Sequence, residues 1–244
     1  MEEGLILDAE GMIKDGFQVK IIYEDNHLLA VEKPADMLSQ ADDTGDADLL
    51  TVLKDYVKNK YNKPGNVFLG LVHRLDRPVG GAMVFAKTSK AASRLSEQIR
   101  KGDFGKTYLA VVHGVPTPPR GRLEHYLAKD ERTNTVRAVA YGNAEGKKAV
   151  LDYEVLQSES DLSLVKINLL TGRPHQIRVQ FSAAGHPLYG DAKYGGGANK
   201  PGRRIALWSL RIACKHPTNG EDMVFTSKPP VEAYPWNLFN HRNL

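Results

Sequence analysis

The stretch FQVKIIYEDNHLLAVEKP, residues 17–34, reads as two short strands around a turn. Val19, Ile21 and Tyr23 alternate with polar neighbours, Asp25-Asn26 supplies the turn, and Leu29 and Val31 lead to Pro34. Strands joined by so short a turn run antiparallel. Outward from this pair the period changes. Apolar residues at 49, 50, 53, 56, 57 and 61 predict an amphipathic helix over 49–61. AMVFA, residues 82–86, is a continuous apolar run and reads as a buried strand. Ser89 then has the character of an N-cap, with Ala91, Ala92, Leu95 and Ile99 on one helical face and Gly102 as the stop.

The second half is richer in strands. YLAVVH, 108–113, is one, and segments near 123–127, 135–141 and 148–157 are others. Between 164 and 170, Val165, Ile167 and Leu169 face one way, Lys166 and Asn168 the other. Pro174 suits the first turn of a helix whose buried face carries Ile177, Phe181 and Ala184 and which Gly185 ends. Segments 205–213 and 223–226 flank a turn at 216–220 and form a final hairpin. Strands and helices mix without strict alternation. The fold class is therefore α+β, with a mixed, largely antiparallel central sheet flanked by helices.

Composition narrows the function. With 244 residues, 41% hydrophobic and 25% charged, the chain has the make-up of a folded globular protein. The single cysteine, Cys214, excludes an internal disulfide and disfavours a thiolate zinc site. The eight histidines form no closely spaced pair, so no metal is expected. The N-terminus, MEEGLILDAEGMIKDG, is acidic and has no long apolar run, so it is not read as a signal peptide. No segment reaches the roughly 20 apolar residues of a membrane span, and a cytoplasmic location is expected. The net charge of +4 weakly favours an anionic partner. Two basic runs are read as loops: GGGANKPGRR at 195–204, and the turn at 102–106 with Arg100, Lys101 and Lys106. Such loops suit phosphate backbones, although each is equally read as a solvated surface loop.

Three segments concentrate chemistry. LVHRLDRPVGG, 71–81, sets Asp76 between Arg74 and Arg77, with His73 nearby and Gly80-Gly81 following. Positive neighbours keep a carboxylate ionised, and an ionised carboxylate serves as nucleophile or base. The glycines allow a close approach of backbone or ligand. LLTGRPHQIRVQFSAAGHPLYGD, 169–191, turns at Thr171-Gly172 into a helix bearing Arg173, His175, Gln176 and Arg178. Arg173 and His175 near a helix start suit a phosphate, and Arg178, one turn in, suits a distant carboxylate. GKTYLAVVHG, 105–114, places Tyr108 on a strand, where its ring can stack on a base and its hydroxyl can bond. Taken singly, each also reads as ordinary structure: a surface Asp paired with its neighbours, a capped surface helix, a strand tyrosine.

Taken together and in this order, the segments resemble the RluA-type family of RNA pseudouridine synthases. The likeness runs through IIYEDNHLLAVEKPADML, HRLDR at 73–77, GKTYLAVVHG, TGRPHQIRVQFSAAGHPLYGD and IALWSLRIACKHPTNGEDMVF, roughly residues 17–230. It implies the pseudouridine synthase fold with an RNA-binding cleft. It implies Asp76 as the catalytic aspartate, Arg74 as the arginine linked to base extrusion, and Tyr108 as the tyrosine against the target base. It further implies Arg178 as the arginine paired with that aspartate, with Ile177 beside it. On their charge and position, Arg77, Arg173 and His175 are expected as further substrate contacts. Val79-Gly80-Gly81 stands where the family usually has Thr-Ser-Gly. The expected organisation is an N-terminal extension over 1–16 and a catalytic domain over 17–244, without an S4 RNA-binding domain.

The implied reaction isomerises uridine in ribosomal or transfer RNA to pseudouridine. It involves no redox change and no external group, so no cofactor is expected. The expected partner is RNA and the expected state a monomer. Two rival readings share the same residues. One is a non-catalytic RNA-binding or ribosome-assembly protein, which would have no need of Asp76. The other is a nucleoside glycosidase, which would release free uracil.

Overall fold

The computed structural model describes residues 6–8, 11–14, 16–200 and 202–241. In chain order the elements are β1 (Ile6–Asp8), β2 (Gly11–Lys14), β3 (Phe17–Glu24), β4 (Leu28–Lys33), α1 (Leu49–Lys60), β5 (Gly70–Leu71), β6 (Gly80–Ala86) and α2 (Ser89–Lys101). There follow β7 (Gly105–His113), β8 (Arg120–Asp130), β9 (Thr135–Val139), β10 (Lys147–Glu159), β11 (Leu162–Leu169), α3 (Gln176–Ala183), β12 (Leu207–Lys215) and β13 (Asp222–Thr226). The class is α+β, with largely antiparallel sheet and few helices, as the sequence predicts. The chain divides into two compact units, one of residues 1–105 and 209–227, the other of 106–208 and 228–244.

The first unit carries the strand order β1-β2-β3-β4-β6-β12, with β5 beside β6 and β13 beside β12. The opening hairpin forms as read: Asp25 caps its own turn, accepting the amides of His27 and Leu28 at 2.7 and 2.6 Å. Two short strands, β1 and β2, precede it in an antiparallel run, where the sequence reading starts the first strand at 17. Helix α1 begins one residue after Asp48, whose side chain accepts the Thr51 amide, and buries Leu49, Val52, Leu53, Tyr56 and Val57. The N-cap of α2 is Thr88 rather than Ser89: its Oγ1 accepts the Ala91 amide at 3.1 Å. Gly102 closes that helix at φ 84°, as expected. The core joins Leu28, Ala30, Val84, Ala91, Leu95, Phe104, Ile212 and Phe225.

Glu24, at the end of β3, fastens α1 to this sheet. Its carboxylate accepts from Tyr56, Lys60, Tyr61 and Lys87 at 2.6–2.9 Å and is buried. Burial alone would raise its pKa, but the bonds from Lys60, Lys87, Tyr56 and Tyr61 outweigh it and bring the value to about 2. A carboxylate depressed from its ordinary 4.5 contributes stability above that value and loses it as pH falls towards about 2. Glu24→Gln is therefore expected to cost roughly 3 kcal/mol at neutral pH. Chemical unfolding checks this: the gap between parent and variant should shrink near about pH 3, and an equal gap at both pH values would contradict it.

The second unit is the antiparallel run β7-β11-β10-β8-β9, with Tyr108 opposite Ile167 and Ile167 opposite Tyr153. Helix α3 lies on one face of it, where Val179 packs against Leu127, Val136 and Ala149, and Phe181 meets the Tyr153 ring at 5.8 Å. The helix starts at Gln176, two residues after the expected Pro174, because His175 takes a left-handed conformation at φ 51°. Lys106, read from sequence as part of a loop, is the second residue of β7. Arg100 and Lys101 lie in the last turn of α2 and pair with Glu97.

Candidate functional site

Asp76 lies in the first unit, in the loop between β5 and β6. The loop is held by its backbone. Val79 donates to the Asp76 carbonyl at 3.0 Å, closing a tight turn around Arg77 and Pro78. On one side of Asp76, buried Ser39 grips Leu75 twice: its hydroxyl donates to the Leu75 carbonyl at 2.7 Å and accepts the Leu75 amide at 3.2 Å. On the other, Lys33 donates to the carbonyls of Arg77 at 3.0 Å, Pro34 at 3.0 Å and Met37. Lys33 is wholly buried. Burial drives its pKa down to about 7, against the favourable charges of Asp36 and Asp76. Leu75 and Val79 are buried on either side, so the half-buried Asp76 stands on a fixed pedestal.

Arg74 and Arg77 are exposed. Arg77 is held outward by the Asp36 carbonyl at 3.1 Å and the Asp46 carboxylate at 2.6 Å. His73 accepts the Val84 amide on Nε2 at 3.0 Å, which anchors the loop's start to β6. The close approach expected at the glycines is made by backbone. At Gly81, φ 119°, a Cβ would lie 2.3 Å from the Ser209 carbonyl oxygen.

The second unit holds Tyr108, Arg173, His175, Ile177 and Arg178. Cross-strand partners share a face of a sheet. The register that links Tyr153, Ile167 and Tyr108 therefore puts Tyr108 on the face that α3 packs against. It is buried, as is Ile177. Arg178 is buried in α3, and its Nε and one terminal nitrogen meet Asp191 at 2.8 Å each. Its guanidinium also lies 5.0 Å from the Tyr194 ring centre. Asp191 further accepts the amides of Lys193 and Tyr194.

The turn into α3 depends on two buried glutamines. Gln176 accepts from the Thr171 hydroxyl at 2.8 Å and the Arg173 amide at 3.0 Å, and donates to Val150 and Gln180. Gln180 donates to the Leu123 and Ala149 carbonyls. His175 meets the Tyr194 hydroxyl at 2.6 Å. That hydroxyl also accepts the Val136 amide at 3.0 Å. Arg173 is exposed and donates from Nε to the Lys148 carbonyl at 2.9 Å. The glycine-rich run is tied to its surroundings at Asn199. Asn199 receives the Gly190 amide at 2.7 Å and donates to the Leu188 carbonyl at 2.8 Å, while Lys200, Arg203 and Arg204 stay exposed.

The structure thus groups Asp76 with Arg74 and Arg77 in one unit, and Tyr108, Ile177, Arg178, Arg173 and His175 in the other. Sequence reasoning singled out Gln176 without giving it a role, and missed Lys33, Ser39, Gln180, Tyr194 and Asp191. The signals were faint: a lysine before the Pro34 turn, and an acid closing the block that ends at 191.

Known proteins resemble this chain along most of its length. The family model described as RNA pseudouridylate synthase matches residues 27–183. The RNA pseudouridine synthase YhcT of Bacillus subtilis is 34% identical over 228 residues, which cover 92% of this chain and 73% of that protein. The ribosomal large subunit pseudouridine synthase D of Zymomonas mobilis is 32% identical over 224 residues, covering 88% and 70%. Among solved structures, human RNA pseudouridylate synthase domain containing 4 superposes with a TM-score of 0.72 at 23% identity, covering 86% of this chain and 88% of that one, which supports the fold. Human RNA pseudouridylate synthase domain containing 1 gives 0.68 at 25% identity, covering 94% and 87%.

Proposed function

Since the chain belongs to the RNA pseudouridylate synthase family and isomerises uridine in RNA, we propose that Asp76 is the carboxylate that carries the reaction. The observation that supports this most is the pedestal beneath it. Lys33, Ser39 and the 76–79 turn grip the loop by its backbone. A reacting group needs such fixed support.

The reaction breaks the N1–C1′ bond of uridine, turns the uracil, and joins C5 to C1′. The proton that leaves C5 is matched by one that ends on N1, so nothing is gained or lost. The uridine must first leave its stack, at a cost of roughly a few kcal/mol. In this reading exposed Arg74 fills the vacated space and Tyr108 takes the face of the base, with Ile177 supplying apolar contact. Asp76 acts on the ribose, as nucleophile at C1′ or as base. Arg178 keeps that carboxylate ionised and oriented. Asp191 takes one edge of the guanidinium and fixes its orientation, so Arg178 serves as an aimed donor. Arg77, Arg173 and His175 hold the RNA backbone.

The names of several relatives point to large-subunit ribosomal RNA as the substrate, ahead of transfer RNA. Mapping pseudouridines in RNA from a deletion strain against its parent tests this. The expected result is one or a few ribosomal positions reverting to uridine. Loss confined to transfer RNA would move the target, and no loss anywhere would overturn the reading. The enzyme works as a cytoplasmic monomer in this reading and should elute at its own 27.0 kDa on size exclusion.

A further inference from the structure

Lys106 is a half-buried ammonium that the mechanism above does not use. Among the described residues it has neither a hydrogen bond nor an ion-pair partner, and burial lowers its pKa. An unpartnered charge withdrawn from water costs folding free energy. A lysine can escape that cost by stretching its stem to solvent. Lys106 does not: its Nζ curls against the Thr171-Gly172-Arg173 turn, where a Cβ on residue 172 would lie 3.2 Å from it. Glycine at 172 leaves the ammonium its room.

Position adds the second half of the argument. Residues two apart on a strand share a face. Lys106 therefore lies on the same side of β7 as Tyr108, the side against which α3 packs. Exposed Arg173 follows directly on the turn that Lys106 touches. The place thus offers an ammonium against a glycine backbone, on the sheet face that carries Tyr108 and next in sequence to exposed Arg173. The anion that always accompanies a base in RNA is a phosphate, and a lysine binds it as a point charge.

We propose that Lys106 holds a backbone phosphate of the RNA beside the uridine that Tyr108 receives, with Gly172 keeping the ammonium in place. The inference rests on the reading of Tyr108 given above. Its test uses the full chain and a synthetic RNA carrying the uridine that the deletion-strain mapping identifies. The phosphates around that uridine are replaced one at a time by neutral methylphosphonates.

Lys106→Met is expected to weaken RNA binding roughly tenfold or more and to lower the salt slope of binding by about one, with kcat at saturation near the parent's. At one linkage the methylphosphonate should weaken the parent equally and leave Lys106→Met unaffected. Lys106→Arg, which keeps the charge, should remain sensitive at that same linkage. Because the lost charge has no partner, Lys106→Met should melt no lower than the parent. Losses that simply multiply at every linkage would overturn the assignment. So would a variant that melts well below the parent yet binds RNA normally. If deletion removes no pseudouridine, the underlying reading fails. If it removes one but the linkages show no coupling to Lys106, only this inference fails.

Discussion

Asp76→Asn is expected to abolish pseudouridine formation, by roughly 10⁴-fold or more, while RNA binding stays close to the parent's. Asparagine keeps the shape of the side chain and removes the charge that makes it a nucleophile or base. The loop should survive the change. Its fastenings run from Lys33 to the Arg77 carbonyl, from Ser39 to both backbone groups of Leu75, and from the Val79 amide to the carbonyl of residue 76. None of these calls on the carboxylate. The charge at 76 does favour the ammonium of Lys33, so in the variant Lys33 should lose its proton more readily. Binding has no reason to fall, because a carboxylate repels phosphates and its removal costs no contact to them. The measurement is a single-turnover assay of pseudouridine in the mapped RNA, with binding followed in parallel. Turnover at the parent's rate would remove Asp76 from the mechanism. Turnover lost together with binding would mean the loop had collapsed.

The parts of the fold that could be read from sequence were those in which one period dominates. The hairpin at 17–34, α1 and β11 each bury one face of a regular pattern, and each formed within a residue or two of the expected bounds. The misplacements have local causes. Thr88 and Ser89 are both able to cap, and only the hydrogen bond to Ala91 decides between them. Pro174 suits a first helical turn, but the side chain of Gln176 already satisfies the Arg173 amide and the Thr171 hydroxyl, so the chain stays in a turn until 176. Lys106 reads as loop because it is charged and follows a glycine; its place in β7 is set by pairing with β11, which no local pattern announces. The site divides the same way. Residues that touch substrate in the proposed mechanism sit in dense motifs, whereas several that hold them act on partners distant in sequence. Lys33 reaches Arg77 across 44 positions, and Gln180 reaches Leu123 across 57.

Asp191→Ala should be the most damaging single change to the second unit, costing roughly 3–5 kcal/mol. The pair it breaks is almost wholly buried, with side-chain exposures of 8% for Arg178 and 1% for Asp191. Removing the acid takes the bidentate carboxylate partner from a guanidinium that cannot shed its proton, and also removes the acceptor of the Lys193 and Tyr194 amides. Stability alone, however, says little about why such a pair exists, since apolar side chains of similar volume often fill the space equally well. The double variant Arg178→Met with Asp191→Leu separates the two roles. Stability measured by denaturant unfolding should return most of the way to the parent's. Isomerisation should not return, because the donor aimed by Asp191 is gone even though the packing is restored. A double variant that recovered both stability and turnover would reduce Arg178 to a structural residue and leave Asp76 to keep its charge without it. One that recovered neither would show that the two amides, rather than the guanidinium, are what Asp191 chiefly serves.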